Sequence, residues 1–269
     1  MRICLVTPFA WSQPHDVNDH VRGVAGALRR LGHEVTVVAP SARAADLLAG
    51  RRALAKGEHP EVIAVGPAIP VSRRSQLGVP VGVQANLRQA LQQGGFDVVH
   101  GFEPGLPSLS YLALRDADAL AVATFVSVNR LGYPPARSAR EKLLGRIDAL
   151  IALSDEMRTA AEERFPGDYR VLSPGVDTEL FAPKPKRNTI VVELRPNERV
   201  VARTVMLSLR EREAAAARAD AETQTFDAVG GELSTLYESL GTLRRGSRRG
   251  RGRRRSRRSR ARRRTRCGR

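Results

Sequence analysis

Through the first 180 residues, short apolar runs alternate with stretches whose apolar residues recur at helical spacing. This alternation restricts the fold more than any other feature of the chain. Arg2-Ile3-Cys4-Leu5-Val6-Thr7 reads as a buried strand. Val17, Val21, Ala25, Leu28 and Leu31 then follow a helical repeat, with Asp16 as the expected N-cap, Arg29 and Arg30 in the last turn and Gly32 at the stop. Residues 34–39 form the next strand and close a βαβ unit. Further strands are expected at 61–65, 97–100, 120–125, 149–152 and 169–172, and helices at 43–56, 83–93, 108–115, 136–145 and 155–165. The pattern predicts an α/β fold, a Rossmann-like doubly wound parallel sheet of roughly seven strands covered on both faces. Ligands of such sheets bind beyond the carboxyl ends of the strands. The loops starting at Pro8, Gly66, Gly101 and Val126 are therefore the expected site.

The alternation ends near Phe181. Residues 1–181 are expected to form one domain. Residues 182–188, with Pro183 and Pro185, read as a linker. Residues 189–240 read as the start of a second domain plus a helix, the helix placed at 201–225, where Ala, Arg and Glu dominate. From residue 241 the chain is mostly Arg, Gly and Ser, a composition that cannot bury a core and is expected to be disordered. This tract also settles the meaning of the charge. The formal net charge is +17, but residues 244–269 carry sixteen arginines and no acid. Subtracting those sixteen leaves residues 1–243 at +1, so the basicity does not characterise the domain. Cys4 and Cys267 supply neither a disulfide framework nor a zinc spacing. No secretory signal and no stretch near the ~20 apolar residues of a membrane span is visible. The expected location is the cytoplasm, or its membrane-facing periphery.

Four segments, in order, carry a family likeness: Met1-Arg2-Ile3-Cys4-Leu5-Val6-Thr7-Pro8; His20-Val21 through Leu31-Gly32-His33-Glu34 to Ala39-Pro40; Phe96-Asp97-Val98-Val99-His100-Gly101-Phe102-Glu103-Pro104 with Pro107-Ser108-Leu109-Ser110; and Pro174-Gly175-Val176-Asp177-Thr178-Glu179-Leu180-Phe181. Over about two-thirds of its length the chain resembles the amino-terminal, acceptor-side domain of family-4 glycosyltransferases of the GT-B type, and is similar to phosphatidylinositol mannosyltransferase-like enzymes. The resemblance implies a nucleotide-sugar donor, a lipid or sugar acceptor and no further cofactor or metal. Negative charge develops on the departing diphosphate in such a reaction. Arginine, lysine or a helix amino terminus is needed there, and two domains close over the bond to exclude water.

Several positions depart from that pattern. The family's Gly-Gly pair before the first helix is replaced by His15-Asp16. Val126 stands where relatives carry a histidine thought to assist catalysis, and Phe102 replaces another histidine. At the expected opening of the donor domain, Arg195 and Arg199 are the candidates to hold a diphosphate. The rest of that domain, including its paired glutamates, is not recognisable, so the chain is expected to be truncated and inactive alone.

The acceptor-side candidates are His15, Asp16, His20, Ser72, Arg73, Arg74, His100 and Glu103. Each has a plainer reading. Asp16 suits a helix cap better than an acid–base partner of His15. His20 can be a packed helical histidine, and Ser72-Arg73-Arg74 a solvated loop. Asp148, before a buried strand, reads as structural. The arginine tract has three readings: contact with RNA or another polyanion, adhesion to anionic lipid, or an off-frame translation product. Two functional alternatives accompany the transferase reading. One is a non-catalytic polyanion- or RNA-binding protein working through the tract. The other is an acceptor-binding module served by a donor domain on a separate chain.

Overall fold

The computed structural model describes residues 1–67, 83–105, 108–127, 137–178 and 225–242, with 69–70 and 78–79 as backbone alone. Seven parallel strands form one sheet: β1 (Arg2–Val6), β2 (Glu34–Ser41), β3 (Val62–Pro67), β6 (Val98–Phe102), β7 (Leu120–Phe125), β8 (Ala149–Ala152) and β9 (Tyr169–Val171). Their order is β3-β2-β1-β6-β7-β8-β9. The residue pairs β4 (Ile69–Pro70) and β5 (Gly78–Val79) make a small antiparallel ladder apart from it. The winding reverses between β1 and β6, where Leu5 pairs with His100 and Val6 with Gly101. The expected doubly wound parallel sheet is present, and its topological switch point lies at the carboxyl ends of β1 and β6.

The helices divide unequally. Helices α2 (Ala44–Lys56), α3 (Gln84–Gly94), α4 (Leu109–Asp116), α5 (Arg137–Leu144) and α6 (Asp155–Glu162) all cover one face. Leu54, Leu87, Ala113, Leu143 and Met157 from these five helices meet Val6, Val99, Ala121 and Ala152 from the strands. On the other face, α1 (Asp16–Arg30) is joined by a helix that follows the long interval after residue 178. This helix, α7 (226–242), buries Val229, Leu233, Leu236 and Tyr237 against Ile3, Leu5, Val98, Leu120, Val122 and Ile151. Among the described helices, α1 and α7 are the two that cover this face.

The apolar residues of α7 recur at three- and four-residue intervals, which is the stripe of an amphipathic helix. Thr225 starts it, with its hydroxyl accepting from the amide of Ala228 at 3.2 Å. The seam with α1 depends on small residues. A Cβ on Gly23 would overlap the Phe226 ring, and one on Gly230 would lie 2.6 Å from the Ala27 Cβ. At the rim Arg30 pairs with Asp227, and the His33 Nε2 lies 2.7 Å from the Ser234 hydroxyl. A parallel bridge joins Val176 to Thr225, so the start of α7 lies beside the segment that follows β9.

Two local expectations are corrected. Asp16 is not the cap of α1; it is the first helical residue, and His15 caps, its Nδ1 accepting from the amide of Val17 at 3.1 Å. Asp16 and Asp19 instead place negative charge in the first turn, where the helix dipole favours it. Strand β6 also runs two residues beyond its expected end at His100, because Phe102 still pairs with Thr124 of β7 and is fully buried. The expected helix at 201–225 lies outside the described residues up to residue 224, as do the linker at 182–188 and the arginine tract.

Leu233 is nearly fully buried on α7. The Leu233→Ala substitution is expected to lower stability by about 3 kcal/mol through lost burial and a cavity. Urea denaturation will measure it. An unchanged midpoint would show that α7 unfolds separately from the sheet.

Candidate functional site

The carboxyl edge at the switch point is built first by the loop from β1 to α1. Thr7 and Asn18 are both fully buried. The Thr7 hydroxyl donates to the Asn18 Oδ1 at 2.8 Å, and the Asn18 Nδ2 donates to the Ala10 carbonyl at 2.9 Å. The Ser12 hydroxyl accepts from the amide of Ala42 at 2.9 Å and ties the loop to the end of β2. His15 stacks on Phe9 with ring centroids 3.6 Å apart. Its Nδ1 also lies 2.9 Å from the Asp16 Oδ1. A nitrogen that accepts from the Val17 amide carries no proton to donate, so this contact becomes an ion pair only when His15 is protonated. His15 and Asp16 thus meet, with the carboxylate largely exposed and the imidazole committed to the cap.

The loops after β6 and β7 are joined by Glu103. Its backbone has φ 51°, in the left-handed region that a non-glycine residue adopts at a cost of about 1–3 kcal/mol. The turn buries the residue and carries its carboxylate across to β7. One oxygen, Oε1, accepts from the amides of Val126 at 3.1 Å and Ser127 at 2.8 Å. The Glu103 carbonyl also accepts from the Ser108 hydroxyl at 3.3 Å, beside the cap of α4. A carboxylate held by consecutive amides is a charge-assisted contact, and here it fixes the loop that carries Val126.

His100 lies within β6 and not in the loop beyond it, with its ring on the α1–α7 face. It is fully buried. The Nε2 is 2.6 Å from the Thr124 hydroxyl and the Nδ1 is 2.5 Å from the Tyr237 hydroxyl of α7. Both hydroxyls can donate or accept, so a neutral imidazole satisfies the pair in either tautomer. Burial, with a smaller contribution from nearby His20, lowers the His100 pKa from its ordinary value to about 3. Burial likewise raises the Tyr237 hydroxyl pKa. The group is therefore uncharged at neutral pH.

His20 lies on α1, nearly buried, against Phe102 and Phe226. Burial lowers its pKa to about 4. Its Nδ1 is buried and has no hydrogen-bond partner among the described residues. Thr124 and Tyr237 were missed from sequence. The signal for Tyr237 was the helical repeat it shares with Val229, Leu233 and Leu236. Asp148 accepts from the Ala121 amide at 2.9 Å, which is the structural use expected of it.

Ser72, Arg73, Arg74, Arg195 and Arg199 lie outside the described residues. The described side chains line several concavities, among them three at the edges of the sheet. Two open at the amino edge of the sheet: one of about 290 Å³ lined by Arg29, His33, Glu34 and His59, and one of about 690 Å³ lined by Arg88, Arg115, Asp116 and Arg146. In the larger, the Arg115 hydrogen bond and then that of Arg88 hold the Asp116 pKa near 2. The third, about 260 Å³, lies at the carboxyl end of β3 between Arg51 and Asn86. Among the described residues no group of three or more His, Cys, Asp or Glu side chains is placed to hold a metal. None of the described helices is long and apolar enough to cross a membrane.

The two buried histidines set a pH dependence. Unfolded, each titrates near 6.5; folded, near 4 for His20 and 3 for His100. Between those values the unfolded chain binds more protons. Their neutral forms therefore stabilise the fold above about pH 6.5, and that stability is lost as the pH falls toward 4. The expected slope is up to about 1.4 kcal/mol per pH unit for each histidine. Urea denaturation at pH 7, 6 and 5 will read it, and a flat profile would contradict the burial of both rings.

Comparison with known proteins follows the same boundaries. The sequence pattern of Glycosyltransferase Family 4 matches residues 17–180. The phosphatidyl-myo-inositol mannosyltransferase of Mycolicibacterium smegmatis is 32% identical over 195 residues, covering 69% of this chain and 46% of the relative. The enzyme of the same name from Propionibacterium freudenreichii subsp. shermanii is 33% identical over 166 residues, covering 60% of this chain and 42% of the relative. Among solved structures, sucrose-phosphate synthase from Thermosynechococcus elongatus aligns with a TM-score of 0.45 and 16% identity, over 68% of this chain and 50% of that one. The chain spans slightly under half the length of these curated relatives. A match running from the first turn of α1 past the last strand, on a doubly wound sheet, places this chain in glycosyltransferase family 4.

Proposed function

We propose that residues 1–178 together with α7 form the acceptor side of a sugar-transfer site, and that the chain does not by itself turn over. The observation that carries this reading is the coincidence of the family match with the switch point. The β6–α4 loop that frames the carboxyl edge lies within the matched residues, and the match begins in the first turn of α1, just after the β1–α1 loop. The proposed acceptor is a polyol ring of the phosphatidyl-myo-inositol kind, following the relatives' names. The proposed donor is a nucleotide sugar, with Arg195 and Arg199 as the candidates for its diphosphate. A lipid acceptor also fits a cytoplasmic, membrane-peripheral location.

Transfer requires an acceptor hydroxyl to form a bond to the anomeric carbon as the bond to the diphosphate breaks. The hydroxyl proton must pass to a base, and the diphosphate leaves with the electron pair. The described side chains at the edge supply little of this. His100 has both nitrogens engaged and a strongly lowered pKa. His20 is almost fully buried, Val126 has no titratable group, and the Glu103 Oε1 holds two amides. Binding and positioning remain available to this surface, whereas strong general-base catalysis does not.

The test is to incubate the full chain with a panel of nucleotide sugars and with inositol, mannoside or phosphatidylinositol acceptors. Nucleotide release and product mass are then recorded. Acceptor binding without multiple turnovers is expected. Repeated turnover by the isolated chain would overturn the reading.

The arginine tract supports a separate, sequence-independent contact with polyanions, because it holds sixteen arginines while residues 1–243 carry +1. The last described turn of α7 lies near Leu120, at the amino edge of the sheet. Retention on a nucleic-acid column is expected to weaken steeply with salt and to vanish on deletion of residues 244–269. Retention by residues 1–243 would place the contact elsewhere.

A further inference from the structure

The larger concavity at the amino edge, about 690 Å³, lies across the sheet from the switch point. Three helix-to-strand connections form it: Gly95 and Phe96 between α3 and β6, residues 117–119 between α4 and β7, and Arg146 between α5 and β8. Part of its lining is apolar. Leu91, Phe96 and Ala119 are half-buried against the core cluster that contains Val99. The rest is charged, and the charge does not balance. Arg88, Arg115 and Arg146 share the concavity with Asp116 and Asp118, three guanidiniums against two carboxylates, a surplus of one positive charge.

Two of the guanidiniums are held side by side. The Asp116 Oδ1 accepts from the Arg115 Nε at 2.7 Å, and its Oδ2 accepts from the Arg115 Nη2 at 3.1 Å and the Arg88 Nε at 3.0 Å. With its amide turned to satisfy both groups, the Gln84 carbonyl accepts from the Arg115 Nη2 at 2.6 Å and the Arg88 Nη2 at 3.1 Å. One carboxylate offsets only one of these two neighbouring cations, and like charges at such separations repel. Neither Nη1 has an acceptor among the described residues. The Arg146 Nη2 donates to the Ala117 carbonyl at 2.8 Å, and among the described residues no carboxylate pairs with Arg146. Asp118, the second carboxylate, is exposed at the rim.

This arrangement selects a ligand class. Guanidiniums in a fixed geometry recognise carboxylate and phosphate oxygens through paired N–H donors. A metal cation would meet the surplus positive charge and is disfavoured. A concavity of this size with part of its lining apolar suits a small organic molecule better than a bare ion. We propose that it binds a small organic anion, a carboxylate or phosphate joined to an apolar ring, with the anionic oxygens on Arg88, Arg115 and Arg146 and the ring against Leu91 and Phe96. The site stands at the opposite edge from sugar transfer and does not depend on the acceptor-side reading.

The test follows the backbone amide signals of the full chain by NMR during titration with phenyl phosphate, benzoate, inorganic phosphate and benzyl alcohol. Phenyl phosphate and benzoate are expected to shift the signals of Gly95, Ala117 and Ala119 saturably, while those of Thr7 and Asn18 at the other edge stay in place. A response to one of these two probes alone also supports the proposal and identifies the anion. Inorganic phosphate, which lacks the ring, should bind about tenfold more weakly. Benzyl alcohol, which lacks the charge, should leave the signals unmoved. Arg88→Gln and Arg146→Gln replace exposed side chains, and each should weaken binding about tenfold, the loss of a charge-assisted hydrogen bond. An unchanged urea midpoint for Arg146→Gln will show that its loss is one of binding. Probes taken up by the arginine tract alone would leave Gly95, Ala117 and Ala119 unmoved and overturn the proposal. Saturable shifts that persist unweakened in both variants, or inorganic phosphate binding as tightly as phenyl phosphate, would overturn it as well.

Discussion

A seven-stranded sheet has two apolar faces, and neither can be left to water. Every other feature of this domain depends on how the second face is covered. Five helices lie on one side, and α1 alone comes from the continuous strand–helix alternation on the other. The remaining surface over β6, β7 and β8 is covered by α7. Its four most buried apolar residues contribute about 1.5–3 kcal/mol each on burial, together comparable to the net stability of a typical domain, about 5–15 kcal/mol. The bridge between Val176 and Thr225 brings the two ends of the interval together, so α7 reaches its place from beside the point where β9 ends.

The same helix determines the electrostatics of the face it covers. His100 lies inside β6, where the alternation of a strand directs its ring toward α1 and α7. In water it would titrate near neutrality. Under α7 it is dry, held between Thr124 and Tyr237 and kept neutral. A histidine at a strand's carboxyl end suggests catalysis, yet a ring with both nitrogens bonded to protein hydroxyls serves the packing of this interface. Glu103, three residues later, follows the same logic on the other side of the strand end. Its carboxylate is spent on two amides, and it gives the loop after β7 a fixed course.

The fold was largely legible because its signals are local. Strand β7 at Leu120–Phe125 and strand β8 at Ala149–Ala152 are uninterrupted apolar runs, and the sequence marks both their ends. The stop of α1 was equally plain, since Gly32 has φ 82°. The misplaced features depend on partners distant in sequence. The extra residues of β6 are defined by pairing to β7, which no local run reveals. The cap of α1 passed to His15 because its ring is stacked on Phe9, an arrangement that exists only after the β1 loop has folded. Helix α7 escaped notice for a compositional reason. Its stripe of Val229, Leu233, Leu236, Tyr237 and Leu240 sits between an Ala-, Arg- and Glu-rich stretch and the arginine tract.

The candidate site was legible in place but not in role. Sequence located His15, Asp16, His20, His100 and Glu103 around one edge, and the structure brings their segments to the ends of β1 and β6. What each does follows from hydrogen bonding that sequence does not show. His15 is a cap, His100 an interface residue and Glu103 a clamp. His20 differs because no described residue pairs with its Nδ1. His15, His100 and Glu103 are thus occupied in holding this edge rigid, and a rigid edge is what a binding surface needs.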